Sequence, residues 1–179
     1  MQQKRWALSL PLDNFTLAEH PDIIREMERA GYTDAWSFEV DGTDCFSPLA
    51  VAATVSNMRL GTAIANVDTR GPATLAMSAA GIAELAPGRF CLGIGAGSHP
   101  IVESWNGGKF VHPTARVREM AQFLRKALAG ERVVFRGETF AVDGFRLSRP
   151  LSHPVQIHIA ALRPAMLRVA GEVGDGAII

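Results

Sequence analysis

Apolar residues along this chain follow two alternating rhythms. Short apolar runs predict buried strands, and stretches with apolar positions every third or fourth residue predict amphipathic helices. The runs are Trp6–Leu10, stopped by Pro11, then Asp34–Phe38, Arg59–Ile64, Phe90–Ile94, Val155–Ala160 and Ala177–Ile179. Helical stretches lie between them. The first covers Pro21–Ala30, with Ile23, Ile24, Met27 and Ala30 on one side and Gly31 closing it. The second starts at Ser47-Pro48, a capping residue followed by a good first-turn residue. The third opens at Gly71-Pro72, carries Leu75, Ala79, Ile82 and Leu85 as a stripe, and ends at Pro87-Gly88. The fourth runs from a Thr114 cap to Gly130, and the fifth opens at Arg163-Pro164.

Two segments break this alternation. Residues 98–113 read as a long loop insertion holding Trp105 and Phe110. Residues 133–142 read as a small hairpin around Arg136-Gly137-Glu138. Strand–helix alternation implies a parallel sheet covered by helices, as a doubly wound sheet or a (β/α)8 TIM barrel. About six strands are visible where a closed barrel has eight. The chain therefore reads as one partial barrel domain over residues 1–179, the N-terminal part of a longer protein.

Composition adds bounds. Of 179 residues, 47% are hydrophobic and 20% charged, enough for a real core. Lys+Arg equals Asp+Glu at 18 each, so no basic surface argues for nucleic acid. No apolar run reaches the ~18 residues of a membrane span. The two cysteines, Cys45 and Cys91, have neither scaffold density nor metal-site spacing, and Cys91 reads as a buried thiol. A reducing cytoplasm is the expected setting.

Chemistry is sought at the carboxyl ends of the strands, where ligands of parallel α/β folds sit. Those ends carry Glu39, Asp41 and Asp44; Asn66, Asp68 and Arg70; Gly95, Ala96, Gly97, Ser98 and His99; and Ala161, Leu162 and Arg163. The stretch Pro87–Pro100, PGRFCLGIGAGSHP, stands out for its alternating Gly93, Gly95 and Gly97. It reads as a cofactor floor, or else as a tight turn beside other backbone. A dinucleotide fingerprint would open the first βαβ unit directly into a helix, and this one does not. Glu39 either faces a ligand or pairs with Arg70, and His158 reads as a packed strand histidine. No serine elbow, Walker lysine or HExxH is present.

Five segments carry a resemblance: WSFEVDGTDCFSP (Trp36–Pro48), LGTAIANVDTRGP (Leu60–Pro72), GRFCLGIGAGS (Gly88–Ser98), WNGGKFVHPTARVRE (Trp105–Glu119) and AALRPAMLRVAGEVGDG (Ala160–Gly176). In order and spacing the chain resembles the bacterial luciferase-like family, and within it the branch that uses coenzyme F420, the methylene-tetrahydromethanopterin reductase-like proteins. The resemblance implies a TIM barrel, incomplete here, with a deazaflavin or flavin ring at the strand ends. It implies hydride transfer between F420, or FMN, and a small organic substrate, with FMN-dependent monooxygenation as the alternative. It places a non-prolyl cis peptide at Ala63-Ile64 and cofactor contacts at Asn66, Ala96, Gly97, Ser98, Ala161 and Leu162. Glu39 matches a position where relatives carry Asp or His beside the ring. Many F420-dependent relatives have an acidic residue where this chain has Ser98, so the acid–base role falls to Glu39 or His99. A homodimer is expected, with no nucleic-acid or membrane partner. A catalytically silent half-barrel, working only as an oligomer, is the alternative of another class. A barrel hydrolase using Glu39 and Asp68 is a third.

Overall fold

Strand and helix alternate through most of the chain. A computed structural model describes residues 4–179; residues 1–3, the start of the expected 1–179 domain, lie outside the described residues. The elements are β1 (Ala7–Leu10), α1 (His20–Arg29), β2 (Asp34–Ser37), α2 (Ser47–Val55), β3 (Arg59–Thr62), β4 (Ala65–Asn66), α3 (Pro72–Leu85), β5 (Phe90–Gly95), a π-helix (Pro100–Trp105), α4 (Pro113–Leu128), β6 (Val133–Arg136), β7 (Ala141–Phe145), β8 (Gln156–Ala160), α5 (Pro164–Val173) and β9 (Gly176–Ile178).

Strands β1, β2, β3, β5, β8 and β9 lie side by side in chain order, all parallel, and the two-residue β4 extends the β3 position along β5. That order decides between the two architectures. A doubly wound sheet reverses its strand order at a switch point, and this sheet never does. Right-handed crossovers taken always in one direction put every helix on the same face. The helices pack as neighbours in that sequence, α1 on α2 through α4 on α5. This is barrel winding, with β1 and β9 as the two sheet edges among the described residues.

The apolar rhythm explains the packing. Leu92 and Ile94 of β5, with Ile157 and Ile159 of β8, are buried in one core with Leu75, Ala76 and Ala79 of α3 and Met120, Phe123 and Leu124 of α4. Trp36 and His158 belong to the alternate strand positions, and their rings stack with centroids 6.4 Å apart. His158 is thus a packed strand histidine. Cys91 is buried, and that burial pushes its thiol up to about 12.

Three local expectations are corrected. Ser47 does not cap α2; the Asp44 carboxylate does, accepting from the Phe46 and Ser47 N–H groups at 2.8 and 3.2 Å. Thr114 does not cap α4; it lies inside the helix, and the cap position is His112 at φ 50°. Residues 98–113 are not all loop, since Pro100–Trp105 winds into the π-helix. The antiparallel hairpin β6–β7 packs Phe135, Phe140 and Phe145 around Phe123 of α4.

Candidate functional site

The polar side chains gather where the parallel strands end. Past β2 the chain presents Glu39, and past β4 it presents Asp68 and Arg70. Arg70 forms an ion pair with Glu39, lies 3.7 Å from Asp44, and stacks 5.1 Å over the Phe46 ring. The side chains of Arg70 and Glu39 keep only 19% and 18% of their exposure, so the pair is largely out of water. Glu39 also receives the Cys45 S–H at 3.7 Å and the Asn66 N–H at 3.4 Å. Burial, with the neighbouring Glu39 charge, pushes the Cys45 thiol far up, so it stays a donor. Burial works against the charge on Arg70, but its bond to Glu39 and the nearby Glu39 and Asp44 charges together outweigh that and raise its pKa. Among the described residues the buried Arg70 Nε–H finds no acceptor. A buried donor without a partner is uncommon.

A second knot sits beside the first. The Asn66 side-chain oxygen accepts from the Asp68 N–H at 2.8 Å, and the Asp68 carboxylate accepts from the Gly97 N–H at 3.1 Å. Burial lifts the Asp68 pKa, more than the Gly97 bond and nearby Arg116 lower it. Arg116, from α4, donates to the Val67 carbonyl at 3.2 Å and to the Thr139 carbonyl at 3.3 Å. It thereby ties the loop after β4 to the hairpin. The hairpin turn is held in its own right by Glu119, which accepts from the Glu138 N–H and from Thr139 N–H and Oγ1.

The three glycines resolve differently. A Cβ on Gly93 would run into the Thr62 carbonyl and Ile178, so this glycine serves strand packing. On Gly95 it would press on Ala160 and Ile64 at 3.0 and 3.2 Å. On Gly97 it would meet the Asn66 side-chain amide and, at 2.8 Å, Val102 of the π-helix. The structure therefore brings Asn66 and Gly97 together, and sets Ile64 beside Gly95. The Ala63-Ile64 peptide is cis. Ala96 is half-buried and Ala161 buried, while Ser98 and Leu162 are exposed. His99 is exposed and pairs with Glu103 of the π-helix at 3.2 Å, away from the Glu39 knot. Ala63, Ala96 and Ala161 follow the neighbouring strands β3, β5 and β8, and their small side chains fit a flat ligand.

Asp68 and Gly97 are both legible in sequence as strand-end residues, but the bond between them is not. Arg116 carried no sequence signal, because both its carbonyl partners lie far away in the chain. Asp68 and Arg116 also line a cavity of about 330 Å³ together with Lys109, Val111, His112, Glu138 and Thr139. Among the described residues no helix is long and apolar enough to cross a membrane, and no group of His, Cys, Asp or Glu could hold a metal ion.

The sequence model of the luciferase-like monooxygenase family matches residues 2–179. The chain is 32% identical over 154 residues to 5,10-methylenetetrahydromethanopterin reductase of Methanolobus tindarius, covering 85% of this chain and 47% of that protein. Among solved structures, an F420-dependent secondary alcohol dehydrogenase in complex with an F420-acetone adduct superposes with a TM-score of 0.85 at 19% identity, over 97% of this chain and 57% of that one. The FMN complex of the oxygenating constituent of 3,6-diketocamphane monooxygenase, from Pseudomonas putida, superposes with a TM-score of 0.77 at 16% identity, over 98% and 57%. These structural similarities establish the fold. The chain spans about half the length of the curated relatives it matches.

Proposed function

The chain belongs to the luciferase-like monooxygenase family, and on that premise we propose that it builds the ring end of an oxidoreductase moving a hydride between coenzyme F420 and a small organic substrate. The observation that carries this reading is the meeting of Glu39, Arg70, Asn66, Asp68 and Gly97 at adjacent strand ends, beside a strip of small residues. The F420-linked name of the alcohol dehydrogenase, and the reductase to which the chain is 32% identical, support F420 as the first choice of cofactor.

The bound deazaflavin would supply a carbon centre that accepts or donates two electrons with a proton. The chain's part is to bind, orient and keep water out. Ala63, Ile64, Ala96, Gly97 and Ala161 offer the ring a flat bed, and Asn66, Ser98 and Leu162 its borders. Glu39 is the acid–base candidate in this reading, held in place by Arg70 and Cys45; His99, exposed and paired with Glu103 just before the π-helix, is the alternative. A homodimer and a cytoplasmic setting belong to the same proposal.

The test is spectroscopic. The purified protein is titrated with F420 and, in a second series, with FMN, following visible absorbance. Saturable F420 binding is expected, lost in Ser98→Tyr, whose exposed site tolerates the ring without disturbing the core. Binding of neither cofactor, in a protein with native far-ultraviolet dichroism, overturns the proposal and leaves the silent half-barrel. Binding of FMN alone favours the second reading, an FMN-dependent monooxygenase, for which the superposition on the FMN complex speaks.

A further inference from the structure

The cavity beside Asp68 is not explained by a ring lying on the strand ends. Its walls come from three separate places: the loop after β4, the segment 109–116 leading into α4, and the hairpin turn at Glu138 and Thr139. Asp68 is the wall it shares with the ring bed, since the same carboxylate accepts the Gly97 N–H.

Lys109 and Arg116 face two carboxylates, Asp68 and Glu138, so the formal charges balance, and what differs is which of these groups is engaged. His112 pairs with Glu138 at 3.2 Å. Asp68 is engaged with Gly97, and Arg116 lies near enough to act on its charge. Lys109 has no carboxylate within ion-pair reach among the described residues. Arg116 spends Nε on Val67 and Nη1 on Thr139, and among the described residues Nη2 has no protein acceptor. The remaining lining is thus a cation and an unspent guanidinium edge.

Helix α4 adds to this. It is 16 residues long, begins beside the cavity, and has neither a side-chain cap nor an acidic residue in its first turn. Its positive dipole end favours a negative charge there. His112 and Arg116, which flank that first turn, both line the cavity.

We propose that this cavity binds the anionic group, a carboxylate or phosphate, of the substrate, through Lys109 and the free guanidinium edge of Arg116 in the first turn of α4. The anion binding stands independently of any cofactor. Its assignment to the substrate rests on the ring-bed reading above. A small organic acid or phosphate ester anchored there would reach past Asp68 toward the Gly97 side, where the ring would lie.

Inorganic phosphate is the probe. Backbone amide resonances of the isotope-labelled protein are followed during a phosphate titration without cofactor. Saturable shifts are expected at Lys109, Val111, His112, Ala115, Arg116 and Thr139. Lys109→Ala weakens binding about threefold and Lys109→Glu at least about tenfold, since the contact is charge-assisted. Both substitutions lie at an exposed position, and the same spectra report their fold. Absence of saturable shifts, or equal affinity in Lys109→Glu, overturns the site. A parallel F420 titration separates the two possible owners of the anion. Unchanged F420 affinity in Lys109→Glu supports the substrate. A matching loss gives the anion to the cofactor side chain and overturns the substrate assignment. Failure of F420 to bind at all would bear on the ring-bed reading and leave the phosphate result standing.

Discussion

The helix-covered face of the sheet and the rim formed by the strand ends are built on opposite rules. On the covered face, Leu92, Ile94, Ile157 and Ile159 meet helices whose inward positions are apolar, and no polar group is asked to do anything. At the rim, Glu39, Arg70, Asn66, Asp68 and Gly97 hold each other by directional bonds, and the buried Arg70 Nε–H finds no acceptor among the described residues. Packing forgives exchanges of similar volume, whereas a polar knot depends on each partner. The face should therefore govern stability and the rim should govern binding.

The largest effect is expected on the face. Leu92→Ala removes a fully buried side chain from the middle of β5. Loss of about 3 kcal/mol of unfolding free energy is expected in urea denaturation, from the lost transfer energy plus the cavity left behind. A loss under about 1 kcal/mol would mean that the core collapses easily around β5, and the contrast between face and rim would fail.

Arg70→Met probes the rim: it keeps an apolar stem and removes the guanidinium that lies over Phe46. It leaves Glu39 largely buried without its cation and Asp44 without its neighbour. A loss of about 1–3 kcal/mol is expected, because hydrogen bonds to charged groups in such places exceed ordinary ones. An exposed ion pair would give at most about 1 kcal/mol. Urea midpoints therefore decide whether the rim is a cohesive structure or a solvated surface.

How far sequence alone reaches follows the same division. The face was legible, since apolar spacing depends on near neighbours and marked β1, β2, β5, β8 and five helices within a few residues. The family resemblance also placed the cis bond at Ala63-Ile64. The rim was legible only as a list of strand-end residues. Gly93 looked like part of a cofactor floor and is instead the closest approach of β5 to the Thr62 carbonyl. Ser47 and Thr114 had the chemistry of caps, but Asp44 reached the first turn of α2, and the backbone placed His112 at the cap of α4. Arg116 holds Val67 and Thr139 only because the hairpin docks on α4 through Phe123, Phe135 and Phe140. Such pairings follow from tertiary packing and leave no local trace.

The smallest expected effect separates the regions by pH. Burial raises the Asp68 pKa in the folded protein, so above the ordinary aspartate value of about 3.9 the native state holds more protons there than the unfolded chain. Stability then falls as pH rises from that ordinary value through the raised one, and the loss persists above it. Asp68→Asn keeps an oxygen able to accept the Gly97 N–H but cannot ionise. Its stability should therefore lack that decline, and it should gain on the parent protein as pH rises from about 4 to about 7. Urea midpoints of the two proteins across that window test this. Parallel curves would show that Asp68 ionises in the native protein as easily as in the unfolded chain. The carboxyl would then lie in water, and the wall between the ring bed and the neighbouring cavity would be open.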